Sequence, residues 1–454
     1  MTKLFGTNGV RGVVNENMNT ELALDMGKAM GTWLGKGKVA VGTDSRVSNH
    51  MLKYSLSAGL MAAGISVIDL GPAPTPAIQY YVREKADMGV VITASHNPPE
   101  FNGIKVVAGD GTELLKDTEG EIEDIYFSKK FRLVPWNDIG SMTVDDPLSM
   151  YHEAILRSVD GKAVKEAGLK VVIDCANGVG GLSTPYLLRE LGCKVITLNS
   201  QLDGTFPGHE SEPTEKNLTD LKKLVIGVGA DLGIAHDGDS DRAIFFDEKG
   251  NFLHGDKTLT LMAKKSVKDN HGGIVVTPVS SSSSVEDVVK ENNGELIYTA
   301  VGSPIVARKM METGGIFGGE ENGGLIFADH QYCRDAPMSA VRIIELMAKE
   351  NRPLSQLIDE LPKYALDKRG VYCPDELKEG LIASLKRTFG DEKYDDTDGL
   401  KIIYSDGWVL IRPSGTEPKY RVYSQASTPE RAVELGKDHL EAVKKTIEVM
   451  NGSV

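Results

Sequence analysis

Short β-branched runs alternate with helical patterns along most of the chain, and this alternation constrains the fold more than any other feature of the sequence. Lys38-Val39-Ala40-Val41-Gly42 reads as a strand, Ala58 to Ala63 lie within a helical pattern, and Ser66-Val67-Ile68-Asp69-Leu70 reads as the next strand. That is the βαβ rhythm of a mostly parallel sheet. It recurs twice. Lys170 to Asp174, a Gly-rich turn, a helix around Leu187 to Leu191 and Lys194 to Leu198 make a second unit. Gly273 to Thr277, a helix around Val285 to Val289 and Glu295 to Tyr298 make a third. No strict sequence period accompanies them, so the repeat is one of architecture. From residue 367 the pattern changes. Strands at Lys401 to Tyr404, Trp408 to Ile411 and Tyr420 to Tyr423 precede a helix announced by Thr428-Pro429, an N-cap followed by proline at the first helical position. Leu440, Val443 and Ile447 then keep helical spacing.

A chain of 454 residues is too long for one hydrophobic core. The expected architecture is α/β: three similar mixed-sheet α/β domains plus a smaller C-terminal α+β domain around a central cleft. The expected limits are 1–148, 149–250, 251–366 and 367–454. A formal charge of −14 argues against nucleic acid and against an anionic membrane surface, both of which reward a basic face. An anionic small substrate stays possible if cations converge on a few loops. The start, Met-Thr-Lys-Leu-Phe-Gly-Thr, has no apolar leader and no stretch approaches a membrane span, so the protein is expected to be cytoplasmic. Cys175, Cys193, Cys333 and Cys373 form no CxxC pair and read as reduced structural thiols.

Four loops concentrate polar chemistry. The first, TASHNPPEFNGIK at 93–105, follows the apolar run Gly89 to Ile92. A serine after a strand commonly caps a turn. Ser95 stands out because open α/β sheets place ligands at strand ends, and because Pro98-Pro99 keep the following backbone from relaxing into a helix. The GxSxG elbow is missing, which argues against an esterase-type triad using His96. Lys105 lies beyond an expected turn at Asn102-Gly103 and can bring charge or a proton to the same cleft. The second loop is Asp237-Gly238-Asp239-Ser240-Asp241-Arg242. Its three carboxylates at alternate positions repel one another unless a cation sits between them. An EF-hand would need glycine where Arg242 stands, and oxygen-only ligands favour Mg²⁺ over zinc.

The third loop, Gly318 to Gly324, brackets Glu320, Glu321 and Asn322 with glycines and offers donors and acceptors suited to sugar hydroxyls. The fourth, Arg412-Pro413-Ser414-Gly415-Thr416-Glu417-Pro418 with Arg421 beyond it, has the hydroxyls, amides and guanidiniums of an anion cradle. It lacks the order of a P-loop. Ser280 to Ser284 read either as a polar loop with an N-cap or as the hydroxyl-lined rim of a sugar site.

Taken in order, these loops resemble those of the α-D-phosphohexomutase family, and the resemblance covers essentially the whole chain. Phe5 to Gly12 is similar to the family's opening loop, most of all to that of phosphoglucosamine mutases, with Asn8 where many members carry aspartate. The resemblance implies that Ser95 is phosphorylated, that Asp237, Asp239 and Asp241 hold Mg²⁺ together with the Ser95 phosphoryl group, and that Arg242 braces their loop. Ser240 stands where a glycine is usual. Arg11 and Lys105, with His96 in a lesser part, would stabilise the transferring group and handle the hydroxyl proton. Glu320 and Asn322 fall in the sugar-recognition loop, whose common form Gly-Glu-x-Ser-Gly-His is changed at Asn322 and Gly324 to a variant more like archaeal members. Val301-Gly302-Ser303 likewise lacks the histidine of phosphomannomutase/phosphoglucomutases. Arg412, Ser414, Gly415, Thr416 and Arg421 match the phosphate-binding loop.

The implied activity interconverts hexose 6-phosphate and hexose 1-phosphate through hexose 1,6-bisphosphate, which also serves as activator. Glucosamine phosphate leads as substrate, ahead of mannose or glucose phosphate. A Mg²⁺-dependent sugar-phosphate phosphatase and a non-catalytic sugar-phosphate-binding protein are the rival classes. The expected partners are hexose phosphates, the expected state a monomer or homodimer, and the C-terminal unit is the expected moving part.

Overall fold

In a computed structural model, residues 4–6, 8–390, 392–414 and 418–452 are described. Four sheets organise them. In the first, the parallel strands Lys38–Thr43, Ser66–Pro72 and Met88–Ile92 carry the apolar runs read above. Phe101–Ala108 then returns antiparallel beside Met88–Ile92, Val10–Val13 lies outside it, and Met142–Val144 closes the far edge. The second sheet repeats this plan. Lys170–Asp174, Lys194–Leu198 and Leu232–His236 are parallel, and Ala243–Phe246 returns antiparallel, followed by Phe252–Leu253. The third sheet has Gly273–Pro278, Gly294–Thr299 and Phe317–Gly319 parallel, with Leu325–Phe327 returning antiparallel.

The architectural repeat is therefore one of strand order: return strand, third strand, first strand, second strand in each sheet. It places the first three polar loops at one topological position, the reversal between the third strand and the antiparallel return. Residues 93–100, 237–242 and 320–324 all sit there.

The expected turn at Asn102-Gly103 is not formed. Both residues lie inside the strand Phe101–Ala108, paired on one side with Val10–Val13 and on the other with Met88–Ile92. A Cβ on residue 103 would meet the carbonyl oxygens of Val10 at 2.6 Å and Thr93 at 2.7 Å, so glycine serves a close backbone approach here rather than a turn. Lys105 consequently projects from a strand flanked on both sides, a firmer base than a loop.

The C-terminal unit is an antiparallel sheet ordered Ala365–Tyr372, Lys419–Ala426, Gly407–Pro413, Leu400–Tyr404, Tyr394–Asp395, covered by helices Lys378–Thr388 and Pro429–Asn451. Thr428 accepts the Arg431 amide as N-cap, and Leu440, Val443 and Ile447 face the unit's own apolar core. Two sheet limits differ from the sequence reading by a few residues. Phe252–Leu253 belongs to the second sheet, and the last sheet begins at Ala365.

Cores and units do not coincide. The first and last units have separate apolar cores. The second and third share one, because helix Ala336–Glu350, which follows the third sheet's last strand, packs its buried Met338, Val341 and Ile344 into a core that also holds Val171, Ile173 and Leu188. Asp335 caps that helix and accepts the Tyr151 hydroxyl at 2.6 Å, tying the two units together at its start. The last unit meets the third through a small apolar cluster of Val279, Trp408 and Leu410, with Tyr298 packed on it, and through polar contacts around it. Gln425 accepts from Ser283 and donates to Ser282, Lys401 donates to the Val279 carbonyl, and Trp408 Nε1 donates to Ser283. The serine run thus serves as N-cap, through Ser282, and as a docking edge. The four cysteines are free and buried. Among the described residues no helix is long and apolar enough to cross a membrane.

Candidate active site

Ser95 lies three residues past the strand Met88–Ile92, almost fully buried, with φ at +52°. A residue with a β-carbon reaches that left-handed conformation at a cost of about 1–2 kcal/mol, so the surroundings must impose it. They do. The Ser95 amide donates to Thr93 Oγ1 at 2.8 Å, and Thr93 donates on to Asp44 Oδ2 at 2.7 Å. Arg46, fully buried against Asp44, donates through Nη1 to the carbonyls of Pro98 (2.6 Å) and Phe101 (2.8 Å). Its Nη2 donates to those of Ser95 (2.9 Å) and Asn97 (2.6 Å). One guanidinium therefore fixes the whole loop. The aromatic face of Phe206, from the second unit, lies 5.1 Å from it.

Held this way, Ser95 Oγ donates to Asp237 Oδ2 at 2.7 Å across the boundary between the first and second units. Gly238 makes the approach possible, since a Cβ there would sit 2.6 Å from the Ser95 carbonyl oxygen. Ser240 adopts φ +59°, which explains why a glycine is the usual residue at this point of the loop.

The carboxylates of Asp237, Asp239 and Asp241 are buried, with one ligand oxygen from each within 4.8 Å of the others. Burial, and then the charges of Asp239 and Asp241, push Asp237 well above the usual carboxylate range, and burial and Asp241 push Asp239 upward too. Burial acts upward on Asp241 as well, but Arg334, Lys105 and Arg242 outweigh it and hold that group below the usual range. Asp239 Oδ1 and Asp241 Oδ1 are buried without a hydrogen-bond partner among the described residues. A hard divalent cation would satisfy both oxygens and cancel the repulsion, so the residues fit one. Thr75 braces the group from the first unit, donating to Asp239 Oδ2 at 2.8 Å.

The expected cations surround this pocket. Lys105 Nζ lies 3.3 Å from Asp241 Oδ2 and 3.5 Å from Glu113 Oε1. Burial works against its charge, yet Asp241 and Glu113 win and raise it, so Lys105 stays an ammonium. Arg11 Nη1 donates to Asn97 Oδ1 at 2.9 Å. Arg242 reaches Glu212 at 3.3 Å and Asp241 at 3.8 Å. His96 Nδ1 lies 3.3 Å from Ser95 Oγ, but burial, then Arg242 and Arg11, push its imidazole down to about 2. Its Nε2 lies 3.4 Å from Glu212 Oε2.

In the third loop, Asn322 donates to Glu320 Oε2 at 3.4 Å and accepts the Gly324 amide at 3.1 Å. The Ala243 amide donates to the Gly323 carbonyl at 3.0 Å, joining this loop to the metal-type loop. The fourth loop forms a separate cluster. Arg412 and Arg421 face each other in register, Arg421 donates to Ser414 Oγ at 3.4 Å, and Arg412 pairs with Asp398 at 2.9 Å. Asp398 also accepts the Val301 amide at 3.0 Å, so the cradle is tied to the third unit's Val301-Gly302-Ser303 turn. Gly415 and Thr416 lie outside the described residues.

Sequence reasoning missed Arg46, Asp44, Thr75, Glu113, Glu212 and Arg334. Each reaches the site from a distant segment, and only Asp44-Ser45-Arg46, directly after a strand, occupied a position that hinted at it.

A strained serine aimed at a buried three-carboxylate pocket, ringed by cations, on a multi-unit α/β frame, defines an enzyme of phosphoryl transfer. Comparison with known proteins narrows this. Models of the phosphoglucomutase/phosphomannomutase alpha/beta/alpha domains I, II and III match residues 2–133, 149–250 and 254–364, and that of the C-terminal domain matches 371–442. The chain belongs to that family. It is 47% identical to the phosphoglucomutase/phosphomannomutase of Thermococcus kodakarensis, covering 98% of this chain and all of the relative. It is 42% identical to the phosphoglucosamine/phosphogalactosamine mutase of Sulfurisphaera tokodaii, covering 99% and 100%. A crystal structure of a phosphoglucomutase/phosphomannomutase family protein from Burkholderia thailandensis superposes with a TM-score of 0.88 at 28% identity, covering 98% of each chain. The activity class is that of a phosphohexomutase, a phosphotransferase acting within one sugar phosphate.

Proposed function

We propose that the chain interconverts hexose 6-phosphate and hexose 1-phosphate through phosphorylated Ser95 and a hexose 1,6-bisphosphate, with glucosamine phosphate as preferred substrate. The observation that carries this reading is the 2.7 Å contact from Ser95 Oγ to Asp237 Oδ2, which puts a buried, conformationally forced hydroxyl on the rim of the carboxylate pocket. Asp237, Asp239 and Asp241 would hold Mg²⁺ with a phosphoryl oxygen on Ser95, and the ion would supply neutralising charge to the transferring group.

The chain's own residues account for the rest. In the first half-reaction the P–Oγ bond of Ser95 breaks as a P–O bond to the sugar hydroxyl forms, and the hydroxyl proton ends on Ser95 Oγ. The Ser95 hydroxyl donating to Asp237 corresponds to that end state. Lys105 and Arg11, both cationic, stabilise the equatorial oxygens, and Arg242 holds the loop against Glu212. His96, 3.3 Å from Ser95 Oγ, can orient it. Glu320 and Asn322 take sugar hydroxyls, and Arg412, Ser414, Gly415, Thr416 and Arg421 grip the phosphate that is not reacting. The second half-reaction reverses the roles of the two phosphates and recharges Ser95. The bisphosphate would also act as activator by phosphorylating a bare Ser95.

The amino-sugar preference rests on the opening loop and on the name of the Sulfurisphaera relative. A broad phosphohexomutase is the second reading, favoured by the name of the Thermococcus one. ³¹P NMR with Mg²⁺ and a trace of hexose bisphosphate, given glucosamine, mannose and glucose 1-phosphates separately, tests both. One sugar converted far faster names the substrate, and comparable rates mean breadth. Release of inorganic phosphate alone would overturn the mutase in favour of a phosphatase, and a Ser95→Ala protein with unchanged turnover would overturn the role of Ser95.

A further inference from the structure

Arg334 comes from the segment just before helix Ala336–Glu350 and is buried at the junction of two loops. Its Nη2 donates to Asp241 Oδ2 at 2.5 Å and its Nη1 to Glu320 Oε2 at 3.1 Å, while its buried Nε has no hydrogen-bond partner among the described residues. Each carboxylate thereby commits one oxygen to Arg334 and keeps the other. Asp241 Oδ1 has no hydrogen-bond partner among the described residues, with Arg242 Nε 3.8 Å away, and the side-chain bonds that Glu320 accepts from Arg334 and Asn322 both fall on Oε2.

The stem of Arg334 reaches this place over Gly324. A Cβ on residue 324 would lie 2.1 Å from Arg334 Cδ and 2.8 Å from Cγ, and the guanidinium is pinned at both ends, so the stem cannot swing aside. The altered sugar loop and Arg334 are one arrangement. Where related loops place a histidine at this position, here a glycine opens the space and an arginine from ten residues further on fills it.

We propose that Arg334 is a positioning residue that couples cation binding by the Asp237–Asp241 loop to sugar binding by the Glu320–Gly324 loop. The physical basis is the planar fork, which can span two carboxylates at fixed angles where an ammonium cannot. A cation settling on Asp241 Oδ1 fixes that carboxylate, Arg334 transmits the fixed geometry to Glu320, and the sugar hydroxyls meet an acceptor already in place. The inference rests on the mutase reading above.

Thermal-shift titrations test it without reference to turnover. The full chain is melted with Mg²⁺ alone, with glucosamine 6-phosphate alone and with both, followed by measurement of KM and kcat for the same sugar phosphate. In the wild type the joint shift should exceed the sum of the separate ones. Arg334→Lys and Gly324→Ala both conserve charge, so a merely electrostatic attraction between ion and phosphate survives in them. Each is expected to make the shifts additive and to raise KM fivefold or more while kcat at saturation changes less. In Gly324→Ala/Arg334→Lys the two losses should not sum, because they break the same contact. Super-additive shifts with KM within twofold in both single variants would overturn the bridge alone. A wild-type protein shifted by Mg²⁺ but by no hexose phosphate would overturn the mutase reading, and the bridge with it.

Discussion

Replacing Arg46 by methionine should damage both stability and catalysis, and by amounts that follow from its contacts. The residue is fully buried, pairs with Asp44 and donates to four carbonyls between residues 95 and 101. Breaking one side of a buried ion pair costs about 3–5 kcal/mol, and buried acceptors left unpaired cost about 1–3 kcal/mol each where no water reaches them. These losses overlap, and Asp44 keeps bonds from Thr93 and Asn49, so about 4 kcal/mol is the reasonable figure. For a unit of this size that is a fall of about 8–16 °C in its melting temperature. Trp33 and Trp136 both lie in the first unit, so their fluorescence in a Trp408→Phe background follows its unfolding. Where the loop survives, Ser95 loses its forced geometry, and a displacement on the order of 1 Å should lower kcat about a hundredfold. Arg46→Lys keeps the charge opposite Asp44 but loses the fork, and should recover part of the stability and little of the rate. If Arg46→Met melts within about 2 °C of wild type with kcat within about threefold, the loop is held by something else and the argument fails.

Gly238→Ala should keep the fold by circular dichroism yet lower kcat at least about tenfold, because its Cβ forces the Ser95 loop off the carboxylate pocket; an unchanged rate would show that the 2.6 Å approach is slack. The ion-free protein should lose stability as pH rises out of the ordinary carboxylate range, since Asp237 and Asp239 are raised in the fold and their protonated forms are the stabilising ones. The thermal shift given by Mg²⁺ should therefore grow as pH rises above the ordinary carboxylate range, and a flat profile would count against the pocket as the cation site. Hexose phosphate should also draw the C-terminal unit inward, since that unit has its own core and meets the third through only a small apolar cluster and a few polar contacts. Scattering profiles identical with and without ligand would refute the closure.

Much of the fold is legible in the sequence, and the physical reasons are local. Lys170–Asp174, Lys194–Leu198 and Ala243–Phe246 form where β-branched and aromatic runs are bounded by turn residues, and Thr428-Pro429 caps its helix as its chemistry dictates. Asp237, Asp239 and Asp241 are legible because three like charges in five residues need an outside explanation. Asn102-Gly103 misleads for the opposite reason. The pair favours a turn in isolation, but strands on both sides compete for its backbone and win. Arg46 is hinted at only by its place just after a strand, and Arg334 is not marked at all. The carbonyls that Arg46 meets lie 49 to 55 residues away in sequence and the carboxylates that Arg334 meets lie 14 and 93 away, and an isolated arginine carries no mark of such distant acceptors.

The shared core of the second and third units bears on how such a site can serve two ends of one sugar. Helix Ala336–Glu350 and the Arg334 contacts place the carboxylate loop and the Glu320 loop on one packed body, so the distance between the two loops is set by side-chain packing that deforms little. The Arg412 to Arg421 cradle belongs to a unit with its own core, linked to that body through Asp398, Gln425 and Lys401 and a small apolar cluster of Val279, Trp408 and Leu410. Under the proposed reaction a bisphosphate must present first one phosphate and then the other to Ser95, and the two orientations put the distal phosphate at slightly different places. A fixed ion-to-sugar distance with an adjustable distal grip meets that requirement. The opposite arrangement would move the reacting atoms each time the sugar turned. Under that reaction the shared core lies where bonds change, and the smaller contact between units lies where binding energy alone is needed.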